Sequence, residues 1–306
     1  MEKEIITKII DNISELIDNK NFYEIKSILK EIEPADIAII FEEFPEKIGL
    51  LFRILPKDLA AESFIEMSTE NQETLLSSFT DNELKEILTE LYIDDTVDII
   101  EEMPANVVKR ILNNSDADVR KTINEILNYP EDSAGSIMTT EYVSLDEDIT
   151  VEDALKRIKR TGIDKETIYT CYVTKPDRTI LGYITAKTLL LSENDCIISD
   201  IMETNIIFAR TTDDKENVAL EMSKYDLLAI PVVDNETRLV GIITVDDAID
   251  VMEEEATEDI EKMAAIIPSD KPYLSNSVFE IWRKRIPWLL LLMISATFTG
   301  QIISSF

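Results

Sequence analysis

Histidine is absent from the 306-residue sequence, and cysteine and basic residues are scarce. Without histidine the chain cannot carry a Ser-His-Asp triad or a histidine-dependent zinc site. The two cysteines, Cys171 and Cys196, have the spacing of neither a metal nor a redox motif, so we expect reduced thiols. Only 30 Lys and Arg oppose 62 Asp and Glu, which gives a formal net charge of −32. This charge argues against a nucleic-acid partner.

The sequence also lacks the motifs that organise most active sites. It contains no nucleophile–base pair, no P-loop or Rossmann glycine loop, and no His/Cys metal set. The chain is therefore predicted not to be an enzyme. Its 45% hydrophobic content is high enough for a folded protein, and its length predicts two or three domains.

Acidic residues are concentrated in the stretch DDAIDVMEEEATEDIEK, residues 246–262, which holds nine carboxylates and one lysine. Its apolar residues, among them Ala248, Ile249, Val251 and Met252, have the spacing of a buried helical face. Like charges three or four residues apart each destabilise a helix by roughly 0.2–0.5 kcal/mol. Two interpretations are open: a solvated acidic face, or a site for a hard divalent cation, which prefers carboxylate ligands.

The C-terminal stretch is the opposite, because residues 286–306 contain no charge. These residues are numerous enough to span a bilayer, and Trp282 and Trp288 flank the start of the stretch. The basic residues 283–285 precede it and favour a cytoplasmic location for residues 1–285. We expect a transmembrane helix in the cell membrane; a buried core helix or a tail anchor is the alternative.

An internal repeat runs through residues 30–128. Its corner segments recur every 11–13 residues: EFPEK (43–47), ILPKD (54–58), EMSTE (66–70), SFTDN (78–82), YIDDT (92–96), EMPAN (102–106) and NNSDA (113–117). Pro, Ser and Thr suit the first positions of helices, and acids favour the helix N-terminus. The repeat therefore predicts short helices stacked into an all-α superhelical domain over residues 1–130.

From residue 138 the periodicity changes to β-branched apolar runs that alternate with helical patterns. The same order occurs twice, because Met138-Thr139-Thr140 matches residues 202–204 and the run LGYIT at 181–185 matches VGIIT at 240–244. Residues 138–259 are therefore predicted to be two copies of one β-α-β-β-α unit, an α/β pair.

These two copies resemble tandem CBS domains, on the strand Ile230-Pro231-Val232 and the turn GIITVDD at 241–247. The larger order of segments is similar to the MgtE family of magnesium transporters. The segments that carry this resemblance are NYPEDSAGSIMTTEYVSL, ETIYTCYV, SKYDLLAIPVVD, TVDDAIDVMEEEATEDIEKMA and RKRIPWLLLLMISATFTG. The likeness extends over nearly the whole chain.

The resemblance implies a domain order. It places CBS domain 1 at 138–200, CBS domain 2 at 201–260, a connecting "plug" helix at 261–285 and transmembrane helix 1 at 286–306. The match to the plug is carried by residues 273–288, which could equally form an amphipathic linker helix on lipid. Because MgtE channels have five transmembrane helices, we expect this chain to be a fragment or a naturally shortened form without the rest of the membrane domain.

The resemblance also implies a magnesium gauge on a dimeric channel, with the homodimer formed through the CBS domains. Mg²⁺, the regulatory and transported ion, would hold the helical domain, the CBS domains and the plug together in the closed state. The acids carried over as ligands are Glu62 and Asp94 or Asp95 in the helical domain, and Asp214, Glu216, Asp226, Asp247, Asp250, Glu255, Glu258 and Asp259 in the later part.

Nucleotide binding is a further implication of the resemblance. CBS pairs often hold ATP or a related nucleotide, and Thr244 and Asp247 have the matching positions in the second copy. The first copy has Lys187-Thr188 where MgtE relatives commonly have Arg-Asp. The alternative function is thus a membrane-anchored CBS regulator that senses an adenine nucleotide, does not transport and is indifferent to millimolar Mg²⁺.

Overall fold

The computed structural model of the protein describes residues 2–264 and 278–304. Its N-terminal part contains only helices among the described residues. They are α1 (Glu2–Asp18), α2 (Phe22–Leu29), α3 (Pro34–Glu42), α4 (Ile48–Phe52), α5 (Lys57–Ile65), α6 (Thr69–Ser78), α7 (Asp81–Glu90), α8 (Ile93–Glu102), α9 (Ala105–Asn114) and α10 (Ala117–Ile126). Alternate helices stack, with α3 on α5, α5 on α7, and α7 on α9. The predicted all-α superhelical domain is confirmed.

The repeated corner segments begin helices, as their residue types predict. Thr80 caps α7 in a capping box, because its backbone N–H donates to Glu83 Oε2 at 2.8 Å while its own hydroxyl accepts from the Glu83 N–H at 3.3 Å. Pro56 and Pro104 occupy the N-cap positions of α5 and α9. Each corner thus starts the next helix directly, which keeps the repeat short and regular.

Two β-α-β-β-α units follow and confirm the predicted α/β pair. The first consists of β1 (Ser144–Asp146), α11 (Val151–Thr161), β2 (Thr170–Thr174), β3 (Ile180–Thr185) and α12 (Ala186–Leu191). After the short α13 (Ile198–Ile201), the second consists of β4 (Ala209–Arg210), α14 (Lys215–Lys224), β5 (Ala229–Val233), β6 (Leu239–Thr244) and α15 (Val245–Met263). In each sheet the first strand pairs parallel with the second, and the second pairs antiparallel with the third.

The segments that lead into the two copies are exchanged between them. Thr139, which precedes β1 in the first copy, exchanges two backbone hydrogen bonds of 2.9 Å with Ile242 of the second. Glu203, which precedes β4 in the second copy, pairs in the same way with Tyr183 of the first, at 2.9 and 3.0 Å. The segments that match in sequence are therefore those that cross over.

Two glycines allow these crossings. A Cβ at Gly182 would lie 2.4 Å from the carbonyl oxygen of Glu203, and one at Gly241 would lie 2.7 Å from that of Thr139. Real Cβ atoms do not approach backbone so closely, so any larger residue would push the crossing segment away.

The linker and the hydrophobic core join the helical domain to the second CBS domain. The linker after α10 runs along that domain, where Lys215 N–H donates to the Asp132 carbonyl at 3.0 Å and Ala134 N–H donates to that of Asp213 at 2.7 Å. One hydrophobic core continues from the helices into the second CBS domain, whereas the first CBS domain has a core cluster of its own.

The last described helix, α16 (Val278–Ser304), contains most of the uncharged C-terminal stretch. Residues 285–304 have a mean hydropathy of 1.7 and are unburied, so in length and composition this segment fits a transmembrane helix. Residues 265–277 of the predicted plug segment lie outside the described residues. The predicted domain boundaries there stay predictions.

Candidate metal centre

Two helix N-termini bring acids together between the helical domain and the second CBS domain. Asp94 and Asp95 lie in the first turn of α8, and Asp246 and Asp247 lie in the first turn of α15. Acids are locally favourable there because the helix dipole is positive at its N-terminus. Asp247 is also fixed in place, since Thr244 donates to its Oδ2 from the backbone N–H at 3.1 Å and from the hydroxyl at 2.6 Å.

Asp94 is the most enclosed of these acids. It keeps only 7% of its surface exposed, and its Oδ1 atom has no hydrogen-bond partner among the described residues. Burial raises the pKa of this carboxyl well above its usual range, and the charges of Asp247 and Asp95 add to the effect. A buried carboxylate oxygen without a partner is costly, so it requires a proton or a cation.

A loop of the first CBS domain also borders this region, beside α8 and α15. Glu166 lies in the loop before β2, and its Oε2 atom is buried without a hydrogen-bond partner in the described part of the chain. Burial raises the pKa of Glu166 to about 8, and the charges of Asp95 and Asp247 raise it further. The Tyr92 hydroxyl, at the start of α8, donates to the Lys165 carbonyl at 3.4 Å and joins the loop to the helix.

We call this group the junction cluster. It consists of Asp94, Asp95, Asp98, Glu166, Asp246 and Asp247. Burial and the charge of Asp247 raise the pKa of both Asp95 and Asp98 to about 7. Asp98 keeps a solvent-exposed face, where water screens its charge, so its carboxylate is less perturbed than those of Asp94 and Glu166. Burial also raises the pKa of Asp247 to about 6, although its two hydrogen bonds from Thr244 act in the opposite direction.

A second acidic region contains its own cation. Lys215, at the start of α14, has a side chain only 16% exposed and lies 3.4 Å from Glu254 and 3.9 Å from Asp132. Burial raises the pKa of Glu101 and Glu255, and the ammonium of Lys215 opposes the rise at both. We call these five residues the Lys215 cluster.

The structure brings several of the predicted ligands together. Asp94, Asp95 and Asp247 belong to the junction cluster. Glu255 lies close enough to Glu216 and Glu258 for their charges to add to the effect of burial and raise its pKa. Burial also raises the pKa of Asp250, the acids of its own helix raise it further, and Glu66 adds a smaller effect.

Other predicted ligands occupy separate positions. Glu62 is exposed on α5, four residues before Glu66, and Asp259 is exposed on α15. Asp214 caps α14, because its Oδ1 accepts from the Asn217 N–H at 3.0 Å. Asp226 has a left-handed backbone, with φ of 52°, and borders a largely apolar cavity of about 420 Å³. Their roles as ligands stay predictions.

Sequence reasoning did not single out Asp98, Asp246 or Glu166 as ligands, nor Lys215 as their counter-charge. Asp98 lies one helical turn after Asp94, so the 3.6-residue period could have found it. Asp246 adjoins Asp247 in the first turn of α15, in the acidic stretch that the sequence offered as a possible cation site. Glu166 has no such local signal, because only the packing of its loop against α8 brings it to the site.

The junction cluster has the chemistry of a site for a hydrated cation. Carboxylate oxygens are the ligands that Mg²⁺ and Ca²⁺ prefer, and Mg²⁺ usually keeps several of its waters. In the described residues no three oxygens of the junction cluster lie within 4.8 Å of one another, whereas atoms of Glu193, Asp195 and Cys196 do. The orphan oxygens of Asp94 and Glu166 therefore fit an ion held partly through water.

The predicted nucleotide contacts are engaged within the fold. Thr244 is buried, and its hydroxyl donates to Asp247 as part of the α15 cap. In the first copy Thr185 caps α12 similarly, since its hydroxyl accepts from the Thr188 N–H at 3.1 Å and lies 2.9 Å from the Thr188 hydroxyl. Binding of a nucleotide at Thr244 and Asp247 stays a prediction.

The fold and the acidic centre define a class of protein: a CBS pair that carries a helical-repeat domain and precedes an apolar helix. Family profiles match in the same order, with the MgtE intracellular N domain at residues 32–132 and CBS domains at 134–193 and 198–254. The chain belongs to the MgtE family of magnesium transporters.

Individual relatives are consistent with this membership. The magnesium transporter MgtE of Thermus thermophilus is 34% identical over 98% of this chain and 67% of its own length. That of Bacillus subtilis is 34% identical over 95% of this chain and 64% of its own length. The chain thus spans about two thirds of these curated relatives.

Solved structures show the same architecture. A crystal structure of the cytosolic domain of the Mg²⁺ channel MgtE in complex with ATP is 34% identical, covers 78% of this chain and 98% of its own, and superposes with a TM-score of 0.74. The soluble part of a magnesium transporter is 28% identical, covers 82% of this chain and 99% of its own, and has a TM-score of 0.76.

Proposed function

We propose that this chain is the Mg²⁺-sensing gating region of an MgtE-type magnesium transporter. Mg²⁺ at the junction cluster holds α8 of the helical domain against α15 of the second CBS domain and so stabilises the closed state. The observation that carries this proposal is Asp94, a buried carboxylate whose Oδ1 has no partner among the residues that the structure describes and whose pKa the nearby charge of Asp247 helps to raise.

The physical basis is a difference in affinity between two states. Without a cation the acids of α8 and α15 repel each other, which favours separation of the helical domain from the CBS pair. A divalent ion offsets this repulsion only while the two helices are docked, so it binds the docked state more tightly. A ligand shifts an equilibrium by no more than such a difference, and tenfold tighter binding corresponds to about 1.4 kcal/mol.

Transport belongs to the proposal for the whole protein. Relatives that are named magnesium transporters support Mg²⁺ as the transported ion. The segment 285–304 would cross the cell membrane, with the helical and CBS domains in the cytoplasm.

A homodimer through the CBS domains is the proposed assembly. Its support is a set of exposed apolar side chains on CBS helices and their flanking segments, including Leu190, Leu191, Leu228 and Ile249. Of these residues, Leu228 and Ile249 line one cavity, and contiguous exposed apolar surface is typical of a protein–protein contact.

The test follows limited proteolysis and thermal unfolding of the chain in detergent. Mg²⁺ is titrated to about 20 mM, well above common sensor affinities, against sodium chloride of equal ionic strength. We expect Mg²⁺-specific protection in the wild type, its loss in Asp247→Asn, and wild-type protection in the matched control Asp148→Asn, which removes an exposed acid from the first CBS domain. Equal effects of Mg²⁺ and sodium chloride would refute the proposal.

ATP binding to the CBS pair is the second candidate function. It is favoured by the similar MgtE cytosolic domain, which was solved in complex with ATP. Isothermal titration with ATP, with and without Mg²⁺, separates the two. A chain that binds ATP and ignores Mg²⁺ would be the nucleotide-sensing regulator rather than the magnesium gauge.

A further inference from the structure

We propose that the first CBS domain supplies a metal ligand, Glu166. A small divalent cation at the junction cluster then joins three parts of the chain, namely α8, α15 and the loop before β2. This inference rests on the proposed function and extends it, because it assigns to the first CBS domain a direct part in holding the ion.

The position of Glu166 is fixed, yet its carboxylate is not satisfied. Its backbone N–H donates to the Glu141 carbonyl at 2.9 Å, and the neighbouring Lys165 carbonyl accepts from the Tyr92 hydroxyl at 3.4 Å. The loop is thus held from both the CBS side and the α8 side. Its Oε2 nevertheless stays buried without a partner among the residues that the structure describes. Such an oxygen is costly unless something positive binds it.

Glu141 is the instructive contrast, because it is the neighbouring acid on the same side. Its Oε2 accepts from the Thr139 hydroxyl at 2.7 Å and from the Thr140 N–H at 3.1 Å. The chain itself therefore satisfies Glu141 Oε2. Of the two acids, Glu166 is the one with a buried oxygen that lacks a partner among the described residues.

A second orphan oxygen belongs to the helical domain. Asp94 Oδ1 also lacks a partner within the described ranges, and Asp94 is 7% exposed. The Tyr92–Lys165 hydrogen bond brings the loop of Glu166 to the start of α8, two residues before Asp94. Burial raises the pKa of Asp94 most, and the nearby charges of Asp247 and Glu166 add to the effect. Unpartnered oxygens from two domains, beside an oriented Asp247, form the surroundings that a hard divalent cation with a partial water shell requires.

The consequence is a site that responds to the position of the first CBS domain. With only α8 and α15 as ligands, the ion would report on the helical domain and the second CBS domain alone. With Glu166 included, a movement of the first CBS domain away from α8 would also weaken binding of the ion.

The test measures how Mg²⁺ raises the thermal unfolding temperature of the chain in detergent. Glu166→Asp keeps the charge but shortens the side chain by one methylene, so it distinguishes a ligand from a distant charge. We expect Glu166→Asp and Glu166→Gln to lower the apparent affinity for Mg²⁺ by about tenfold. The matched control Glu147→Gln, which removes an exposed acid of the first CBS domain, should stay within about twofold of the wild type.

Each outcome decides one point. Wild-type affinity in Glu166→Asp would overturn the role of Glu166 as a ligand. If Asp247→Asn loses the Mg²⁺ response while both Glu166 variants keep it, only this inference fails. If Asp247→Asn also keeps the response, the proposed function itself fails. Folding of the variants is checked by their unfolding in Mg²⁺-free buffer, where Glu166→Gln should be at least as stable as the wild type because it loses an unpaired buried charge.

Discussion

The junction cluster and the Lys215 cluster are both acidic, and both lie where the helical domain meets the second CBS domain, but they solve the same electrostatic problem differently. At the Lys215 cluster a half-buried ammonium lies between Glu254 and Asp132. At the junction cluster, within the described residues, no Lys or Arg lies within 4.0 Å of a carboxylate. The Lys215 cluster has a counter-charge on one of its own side chains, whereas the described part of the chain supplies none to the junction cluster.

This difference distinguishes a region that holds two domains together from a region that can respond to ions. An ammonium on a side chain is always present, so the Lys215 cluster favours docking at any ion concentration. Within the described residues the junction cluster has no basic partner, so protons or free cations would stabilise it and its stability depends on the medium. A protein that responds to Mg²⁺ needs the second kind of region, while the first kind limits how far its domains separate.

The largest expected effect that would sharpen this contrast is on pH dependence. Glu166, Asp95 and Asp247 have folded pKa values of about 8, 7 and 6, all above those of an unfolded chain. The folded protein therefore binds more protons across this range, and its free energy of unfolding rises as the pH falls from 8 to 6. With a discount for solvent screening, we expect a gain of about 2 kcal/mol.

Thermal unfolding at pH 8, 7 and 6 measures this, with a chelator and with Mg²⁺. Saturating Mg²⁺ should flatten the dependence, because it removes the repulsion that the protons relieve. Stability that falls on acidification in the chelator would contradict the raised pKa values of the junction cluster.

Removal of the most enclosed charge should have the next largest effect. In Mg²⁺-free buffer we expect Asp94→Asn to raise the free energy of unfolding by about 2 kcal/mol, because a buried unpaired carboxylate becomes neutral. The same variant should gain less from Mg²⁺ than the wild type. Chemical denaturation in both buffers tests this. A loss of stability without Mg²⁺ would mean that Asp94 already has a favourable partner.

Removal of the internal cation should have a smaller and opposite effect. We expect Lys215→Gln to lower the free energy of unfolding by about 1 kcal/mol without Mg²⁺, since its partners Glu254 and Asp132 are themselves exposed and screened. Lys156→Gln is the matched control, because Lys156 is 64% exposed and pairs with Glu152 on a single helix. Equal effects of the two substitutions in denaturation would remove the special role of Lys215.

The smallest expected effect concerns Glu62 of α5 and Glu66, the residue that directly follows this helix. Glu66→Gln should weaken the Mg²⁺ response by about twofold, because its charge reaches Asp250, while Glu62→Gln should leave it unchanged. Mg²⁺ titrations of both variants decide the matter. A larger effect for Glu62→Gln would support the ligand role that the resemblance assigns to it.

Sequence patterns predicted the fold better than the site. Corner residues such as Pro56 and Thr80 act locally, so the helical repeat could be read from the chain, and the doubled unit was visible because both copies keep the same strands. Asp94, Asp95 and Asp247 were named as ligands because the resemblance to the MgtE family carries them over by position, and their role as ligands stays a prediction.

The remaining parts of the site depend on distant packing. Glu166 is 71 residues from Asp95 in the chain and reaches it only because its loop docks on α8. Nothing in the sequence distinguishes Lys215 from other basic residues. Its low exposure accompanies its contacts with Asp132 in the linker after α10. Net charge alone could not show which acids have a partner, since pairing depends on distances of a few ångströms.

The crossing of the lead-in segments has a mechanical consequence. Thr139 belongs by sequence to the first CBS copy but is hydrogen-bonded to Ile242 of the second, and the linker that contains Asp132 and Ala134 also runs along the second. A force on the helical domain is therefore transmitted to the second CBS copy. The final helix of that copy, α15, is followed in the chain by α16. Along the chain, the path from α15 toward α16 does not pass through the body of the first CBS copy, so that copy influences this path through the contacts that it makes with the helical domain and with the second copy.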